Sequence, residues 1–296
     1  MKILSTLSLF AASALAVPST LPADQSASAP TPAATPLSQD TAESLLQQAR
    51  AALSGTGVPK DQKKALDLML KAAELGRPDA LGGVGYFYAT GTVVEKDNAK
   101  AIEWFRKGAE AGSAKSQLNL GLLLIASPEM EKEAREWLKK AADQGLAEAN
   151  LRMGQLSYFG EHGVPQDYRK AFPFVLAAAK AGNSEAQNMT GFMLSQGMGM
   201  DKDEKEGEAW LRKAAQQGNA KAQVNLARLL DPRSKDAKTR IEALTWLYAA
   251  SDKNEITAKK SLNEILPSAD PVELSKARQQ AAMLNLKGQR APSASQ

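Results

Sequence analysis

The chain of 296 residues contains no cysteine and a single histidine, His162. Disulfide scaffolds, thiol catalysis, iron–sulfur clusters and multi-histidine metal sites are excluded, because each needs ligands or nucleophiles that this sequence does not supply. Aromatic residues are scarce, with 7 Phe, 5 Tyr and 4 Trp, which disfavours an aromatic-rich sheet sandwich. Neither sign of charge dominates: 37 Lys and Arg against 33 Asp and Glu leave +4, which points to no polyanionic partner. No Ser is followed by Lys at the third residue, no G-x-S-x-G occurs, and the glycines form no phosphate-binding string. What is abundant is alanine, with 52 residues in a chain that is 43% hydrophobic. That composition favours closely packed helices, and the fold class expected is all-α.

The chain opens with Met1 and Lys2, an apolar and small-residue run over residues 3–15, and Ala14-Leu15-Ala16. This is the form of a secretory signal peptide over residues 1–16, cut before Val17. The run is too short and too broken by Ser5, Ser8 and Ser13 to span a bilayer, which takes about 20 apolar residues. No cysteine follows it to carry a lipid, and no later segment suits a membrane anchor. The expectation is a soluble periplasmic or secreted protein, with a eukaryotic secretory lumen as the alternative to a bacterial periplasm. The one sequon, Asn188-Met189-Thr190, falls inside an expected helix. Residues 17–39, seventeen of them Pro, Ala, Ser or Thr, carry too little large apolar surface to offset ordering entropy and read as a disordered tether. Residues 287–296 read as a disordered tail, leaving residues 40–286 for the folded array.

A repeat runs through that array. Aligning the motif of two small residues, two further residues and Gly puts Gly76, Gly112, Gly145, Gly182 and Gly218 in one column, continued by Asn254, at spacings of 36, 33, 37, 36 and 36. Asn is the best substitute for Gly where the backbone turns left-handed, so the column reads as a helix C-cap. Four residues later stand Ala80, Ser116, Ala149, Ala186, Ala222 and Ala258; nine later stand Gly85, Gly121, Gly154, Gly191, Ala227 and Asn263. Small side chains at these places allow close helix approach. Eight before the cap stand Leu68, Trp104, Trp137, Phe174, Trp210 and Trp246, so all four tryptophans share a column. With positions eleven, seven and four before the cap they make an i, i+3, i+4, i+7 stripe. Fifteen before the cap, Asp61, Asp97, Asp167, Asp203 and Thr239 read as N-caps of each second helix. Asp40 with Glu43 reads as the cap of the first helix, and Asp270-Pro271-Val272-Glu273 opens a terminal one. Six helix pairs of this length cannot bury their apolar faces alone and must stack.

The succession A-x4-G, G-x-G-V, Asp, A-x2-W and AA-x2-G over about residues 41–265 resembles the Sel-one-like repeat family, a relative of tetratricopeptide repeats. The resemblance implies an α/α superhelical solenoid of about six helix pairs with a C-terminal capping helix. Copy three departs from the pattern, with Pro128, Glu129 and Met130 where the Asp cap should stand, and implies a tight loop there. Copy four carries Pro173 inside its second helix, where a missing amide is expected to kink or shorten it.

His162 lies between Gly160 and Gly163 in a loop, without a nucleophile beside it, and reads as solvated. No catalytic residue, metal site or cofactor is expected. At 100° per residue, one face of each first helix carries Tyr86, Asn119, Leu122, Arg152, Gln155, Tyr158, Asn188, Phe192, Asn225 and Arg228. The resemblance to tetratricopeptide superhelices places that face on the concave side. Asn pairs with peptide groups, Arg with a carboxylate, and rings anchor side chains, so the mixture suits a protein or peptide partner. Leu122 and Phe192 suit either that role or packing against the next repeat. The function expected is a non-enzymatic periplasmic interaction scaffold or regulator, monomeric in itself, with no nucleic-acid role. The alternative implied by secreted members of the family is a cell-wall or β-lactam hydrolase, or a penicillin-binding protein.

Overall fold

The computed structural model describes residues 39–290, with side chains over residues 41–284. The expected signal peptide and tether lie outside the described residues, apart from Gln39. Among the described residues there are fourteen α-helices, two single-turn 3-10 helices and no strand. The helices divide into two compact units, the first ending at Gln144 and the second beginning at Gly145. The first holds α1 (Gln39–Ser54), α2 (Gln62–Glu74), α3 (Pro78–Thr90), α4 (Asn98–Glu110), α5 (Ala114–Leu124) and α6 (Glu131–Asp143). The second holds α7 (Ala147–Phe159), α8 (Tyr168–Lys180), α9 (Ser184–Gln196), α10 (Glu204–Gln216), α11 (Ala220–Leu230), α12 (Ala237–Asp252), α13 (Ile256–Ile265) and α14 (Pro271–Arg290). Within each unit, the odd-numbered first helices up to α11 pair with the second helices that follow them, and pairs stack on their neighbours, while α13 and α14 both pack on α12. The chain is thus an all-α array of helix-pair repeats. α1 begins one residue before Asp40, and α14 runs past residue 287 into the expected tail.

The cap column has the geometry that its residues require. Gly76, Gly112, Gly145, Gly182 and Gly218 lie at φ between 76° and 93°, and Asn254 at 64°. In α2 the Gly76 amide donates to Ala73 O (2.9 Å) and the Arg77 amide to Ala72 O (3.2 Å), which is the paired closure of a Schellman turn. The Ala-Ala column therefore supplies the accepting carbonyls as well as small side chains. The same pair of bonds closes α8 onto Ala178 and Ala179, and α10 onto Ala214 and Ala215. The turn delivers the chain directly to the next N-cap: Ser113, Asn183 and Asn219 each accept the amide three residues on, at 2.9 to 3.3 Å.

Asp61, Asp97, Asp167 and Asp203 cap the second helices as expected, accepting amides at 2.8 to 3.0 Å. The last copy differs. α12 begins one turn early, and its cap is Asp236, whose carboxylate accepts both the amide and the hydroxyl of Thr239. A carboxylate competes better for orphan amides than a threonine hydroxyl, so the cap moves to the nearest Asp. Pro173 does not shorten its helix: α8 has 13 residues, like α2, α4, α6 and α10. Pro173 is exposed, so the carbonyl it leaves unpaired can face water. Copy three makes its tight connection through a 3-10 turn at Pro128–Met130.

The close-approach column packs first against second helix within each pair. A Cβ added at Gly85 would lie 2.8 Å from the Phe105 ring, at Gly121 2.6 Å from Leu138, at Gly154 2.5 Å from Val175, and at Gly191 2.7 Å from Leu211. Those four partners are fully buried. The tryptophans stand at the margin of the stripe rather than its centre. Trp104, Trp137 and Trp210 are half-buried, each with the ammonium of Lys107, Lys140 or Lys213 over its ring at 3.9 to 4.6 Å. Only Trp246 is buried.

At Gly191 the added Cβ would also meet backbone, 2.7 Å from Gly207 O and 2.8 Å from Leu211 N. Gly191→Ala is therefore expected to destabilise by about 2 kcal/mol, and Gly85→Ala, which meets a ring, by less; urea unfolding of both variants checks the order. Acid sensitivity follows from the caps and pairs. Bonds from the Lys100 amide to Asp97, the Lys170 amide to Asp167, Thr239 to Asp236, Arg106 to Glu133 and Arg240 to Glu273 hold these carboxyls below their usual range. A depressed folded pKa gives stability that is complete above the unfolded pKa of ~4 and is lost as pH falls through the folded one. The melting temperature is expected to stay level from about pH 7 to about pH 5 and to drop below about pH 4.

Candidate functional site

The residues expected on the first-helix face lie on α3 and α5 in the first unit and on α7, α9 and α11 in the second. In the first unit Tyr86, Asn119 and Leu122 are half-buried. The Tyr86 hydroxyl is shielded from solvent and has no hydrogen-bond partner; desolvation pushes its pKa up to about 12. A phenol kept neutral in this way is a donor in want of an acceptor.

In the second unit the face is already partly networked. Arg152 reaches Glu161 at 3.6 Å, and Gln155 Nε2 donates to Glu185 Oε1 at 3.0 Å. The Tyr158 hydroxyl lies 3.8 Å from the sulfur of Met198, and its ring stands 5.1 Å from Tyr168 and 4.9 Å from Phe159. Burial raises the Tyr158 pKa, with the neighbouring Tyr168 adding to the shift. Asn188 is buried and accepts from Asn225 Nδ2 at 2.9 Å. It braces Asn225 instead of presenting its own amide. Phe192 is half-buried, and Arg228 is exposed. This arrangement offers fixed amides, guanidinium groups and ring edges, the chemistry of recognition. Among the described residues no group of three His, Cys, Asp or Glu side chains is placed to hold a metal ion.

One polar system escaped the sequence reading. Gln117, Gln187 and Gln223, five residues after a cap, are buried, and each donates its amide to the second-last carbonyl region of the preceding helix: Ala109 O, Ala179 O and Ala215 O, at 3.1 to 3.2 Å. Gln144 and Gln217, just before a cap, then donate to Gln117 Oε1 (2.8 Å) and Gln187 Oε1 (2.7 Å). These links tie consecutive second-helix ends through the intervening first helix. The visible signal was the recurrence of Gln at both offsets. In the last copy Lys253 takes the donor's place and bonds Gly218 O at 2.8 Å, leaving Gln223 Oε1 unpaired. Burial holds the Lys253 pKa below its usual value.

Against this geometry, the Sel1 repeat family profile matches residues 44–76, 78–113, 114–146, 147–183 and 184–219, more than half of the chain. The match ends before the sixth helix pair, where Asn254, Ala227 and Asp236 replace the usual Gly, Gly and cap position. A Sel1 repeat protein from Oxalobacter formigenes is similar in structure, with a TM-score of 0.66 at 28% identity over 73% of this chain and 91% of that one. A protective antigen present in uropathogenic Escherichia coli strains and displaying an SLR fold is similar over 84% of this chain and 62% of that one, at 26% identity and a TM-score of 0.48. No curated protein matches the chain.

Lys253→Gln restores the donor that the other copies use, as Gln144 bonds both Gly112 O and Gln117 Oε1. It is expected to stabilise the protein by about 1 kcal/mol, read as a raised urea midpoint; a lowered midpoint contradicts the ladder.

Proposed function

Since the chain belongs to the Sel1 repeat family, whose members are generally protein-interaction scaffolds, we propose that it is a non-enzymatic interaction protein that binds a segment of a partner protein on its first-helix face. The observation that carries this reading is the run of half-exposed amides and ring edges on that face, Tyr86, Asn119, Gln155, Phe192 and Asn225, beside the exposed Arg228. Amides and guanidinium groups pair with peptide groups and carboxylates, and ring edges seat apolar side chains. In the first unit the contacts are assigned to Tyr86, Asn119 and Leu122. In the second they are assigned to Arg152, Gln155, Tyr158, Phe192, Asn225 and Arg228, with Asn188 holding Asn225. Gln155 and Glu185 form a rim that can exchange one hydrogen bond for another.

The N-terminal sequence supports export: residues 1–16 as a signal peptide cut before Val17, residues 17–39 as a tether, the array over residues 40–286, and a short tail. Export suits a fold that relies on packing alone, without cysteine to oxidise.

Crosslinking in the envelope of the native host tests the reading, comparing wild type with Tyr86→Ala/Leu122→Ala and with Arg152→Ala/Arg228→Ala. At least one protein recovered with wild type is expected to be lost with a variant whose melting curve is unchanged. Recovery of the same proteins with all three overturns the face assignment.

A further inference from the structure

A second surface stands apart from the first-helix face. α14 does not pair with α13, as earlier second helices pair with the first helix before them; it lies along α12. Ala277 and Ala281 bury its inner side, and Glu273 binds Arg240 at 2.6 Å. The two helices line a groove of about 700 Å³, a volume within the ~300 to 1,000 Å³ of binding clefts. Its apolar lining comes from Ile241 and Trp246 on α12 and from Met283 and Leu284 on α14. Met283 is 55% exposed, and its flexible thioether suits a surface that must adapt to an occupant. The Thr245 hydroxyl, 3.0 Å from Gln280 Oε1, joins the two walls. On α12 the lining runs from Ala237 to Trp246, about 14 Å at 1.5 Å per residue, which is the length of two to three helical turns.

The lining carries two lysines against one carboxylate, Glu242. Lys238 and Lys276 stand on opposite walls and are both exposed. Lys238 acts on Asp236, and Lys276 on Glu273, only as minor contributors to lowering those carboxyls, whose hydrogen bonds go to other groups. Asp236 caps α12 through Thr239, Glu273 is held by Arg240, and Glu242 pairs with Arg212 and accepts from Trp246 Nε1. Apolar side chains flanked by carboxylates complement this lining. A second copy of α14 does not qualify, since that helix carries Lys276, Arg278, Lys287 and Arg290 against one Glu.

We propose that the α12–α14 groove docks an acidic amphipathic helix of a partner protein. Its apolar side chains, spaced i, i+3 or i+4, i+7, would seat on Ile241, Trp246 and Met283, with flanking carboxylates on Lys238 and Lys276. A displayed library of helical peptides, randomised at exposed positions, tests this on the full chain. Wild type is expected to enrich acidic amphipathic helices. The exposed double reversal Lys238→Glu/Lys276→Glu, with an unchanged melting curve, should bind the synthesised winners at least tenfold more weakly and should enrich basic helices instead. Arg152→Ala/Arg228→Ala should leave their affinity unaltered, which separates this site from the first-helix face. The proposal is overturned if the wild-type pool has no acidic bias, if the reversal leaves affinity unchanged, or if Arg152→Ala/Arg228→Ala abolishes binding. Saturable binding of cis-parinaric acid that no enriched helix displaces also overturns it, and makes the groove an acyl site.

Discussion

The architecture depends on one left-handed residue at the end of each second helix. With φ positive at Gly76, Gly112, Gly145, Gly182, Gly218 and Asn254, the chain reverses within the few residues needed to start the next helix, and at Gly76, Gly112, Gly182, Gly218 and Asn254 that residue's amide and the next one close the last carbonyls. Everything else in a repeat is counted from that point. The N-cap is the next residue, the small residue follows at four, the buried Gln at five and the close-approach Gly at nine. Because the turn fixes where the next helix starts, the small and large columns meet in register, as Gly121 does with Leu138 and Gly191 with Leu211.

Stacking between repeats adds a second layer of polar order on this apolar base. The Gln117–Gln144 and Gln187–Gln217 bonds are shielded, where an unmade bond costs more than a made one gains. Arg106 with Glu133, and Arg212 with Glu242, cross between successive second helices nearer the surface. Such exposed pairs contribute little individually, and their role is better described as choosing register than as supplying stability.

The fold was legible in the sequence because its cues are local and repeated: a left-handed cap, Asp caps and small columns recur at fixed offsets, so noise in one copy is corrected by five others. Legibility failed where a copy departs from the consensus. Thr239 occupies the cap column, yet Asp236 wins because a carboxylate is the stronger acceptor; Pro173 looked disruptive, yet its side of α8 faces solvent. The face of the first helices was traceable from the 100° rotation, but the commitment of Asn188 to Asn225 depends on a contact 37 residues apart, which a single sequence does not encode. The orphan Tyr86 hydroxyl and the α12–α14 groove were likewise invisible, since both depend on how residues distant in sequence pack. Family membership and fold argue for recognition, and the two surfaces described differ in kind: one is built from fixed amides and rings, the other from an apolar cleft between lysines.

Apart from the α12–α14 groove, recognition of a partner segment is assigned to the first helices and not to the second helices that carry Trp104, Trp137 and Trp210. Hydroxyl-radical footprinting of the protein alone and in complex with a crosslinked partner tests it most directly. The account predicts reduced labelling at Tyr86, Tyr158 and Phe192, with Trp104, Trp137 and Trp210 unchanged. Protection of the three tryptophans with undiminished labelling of the first-helix aromatics would contradict it.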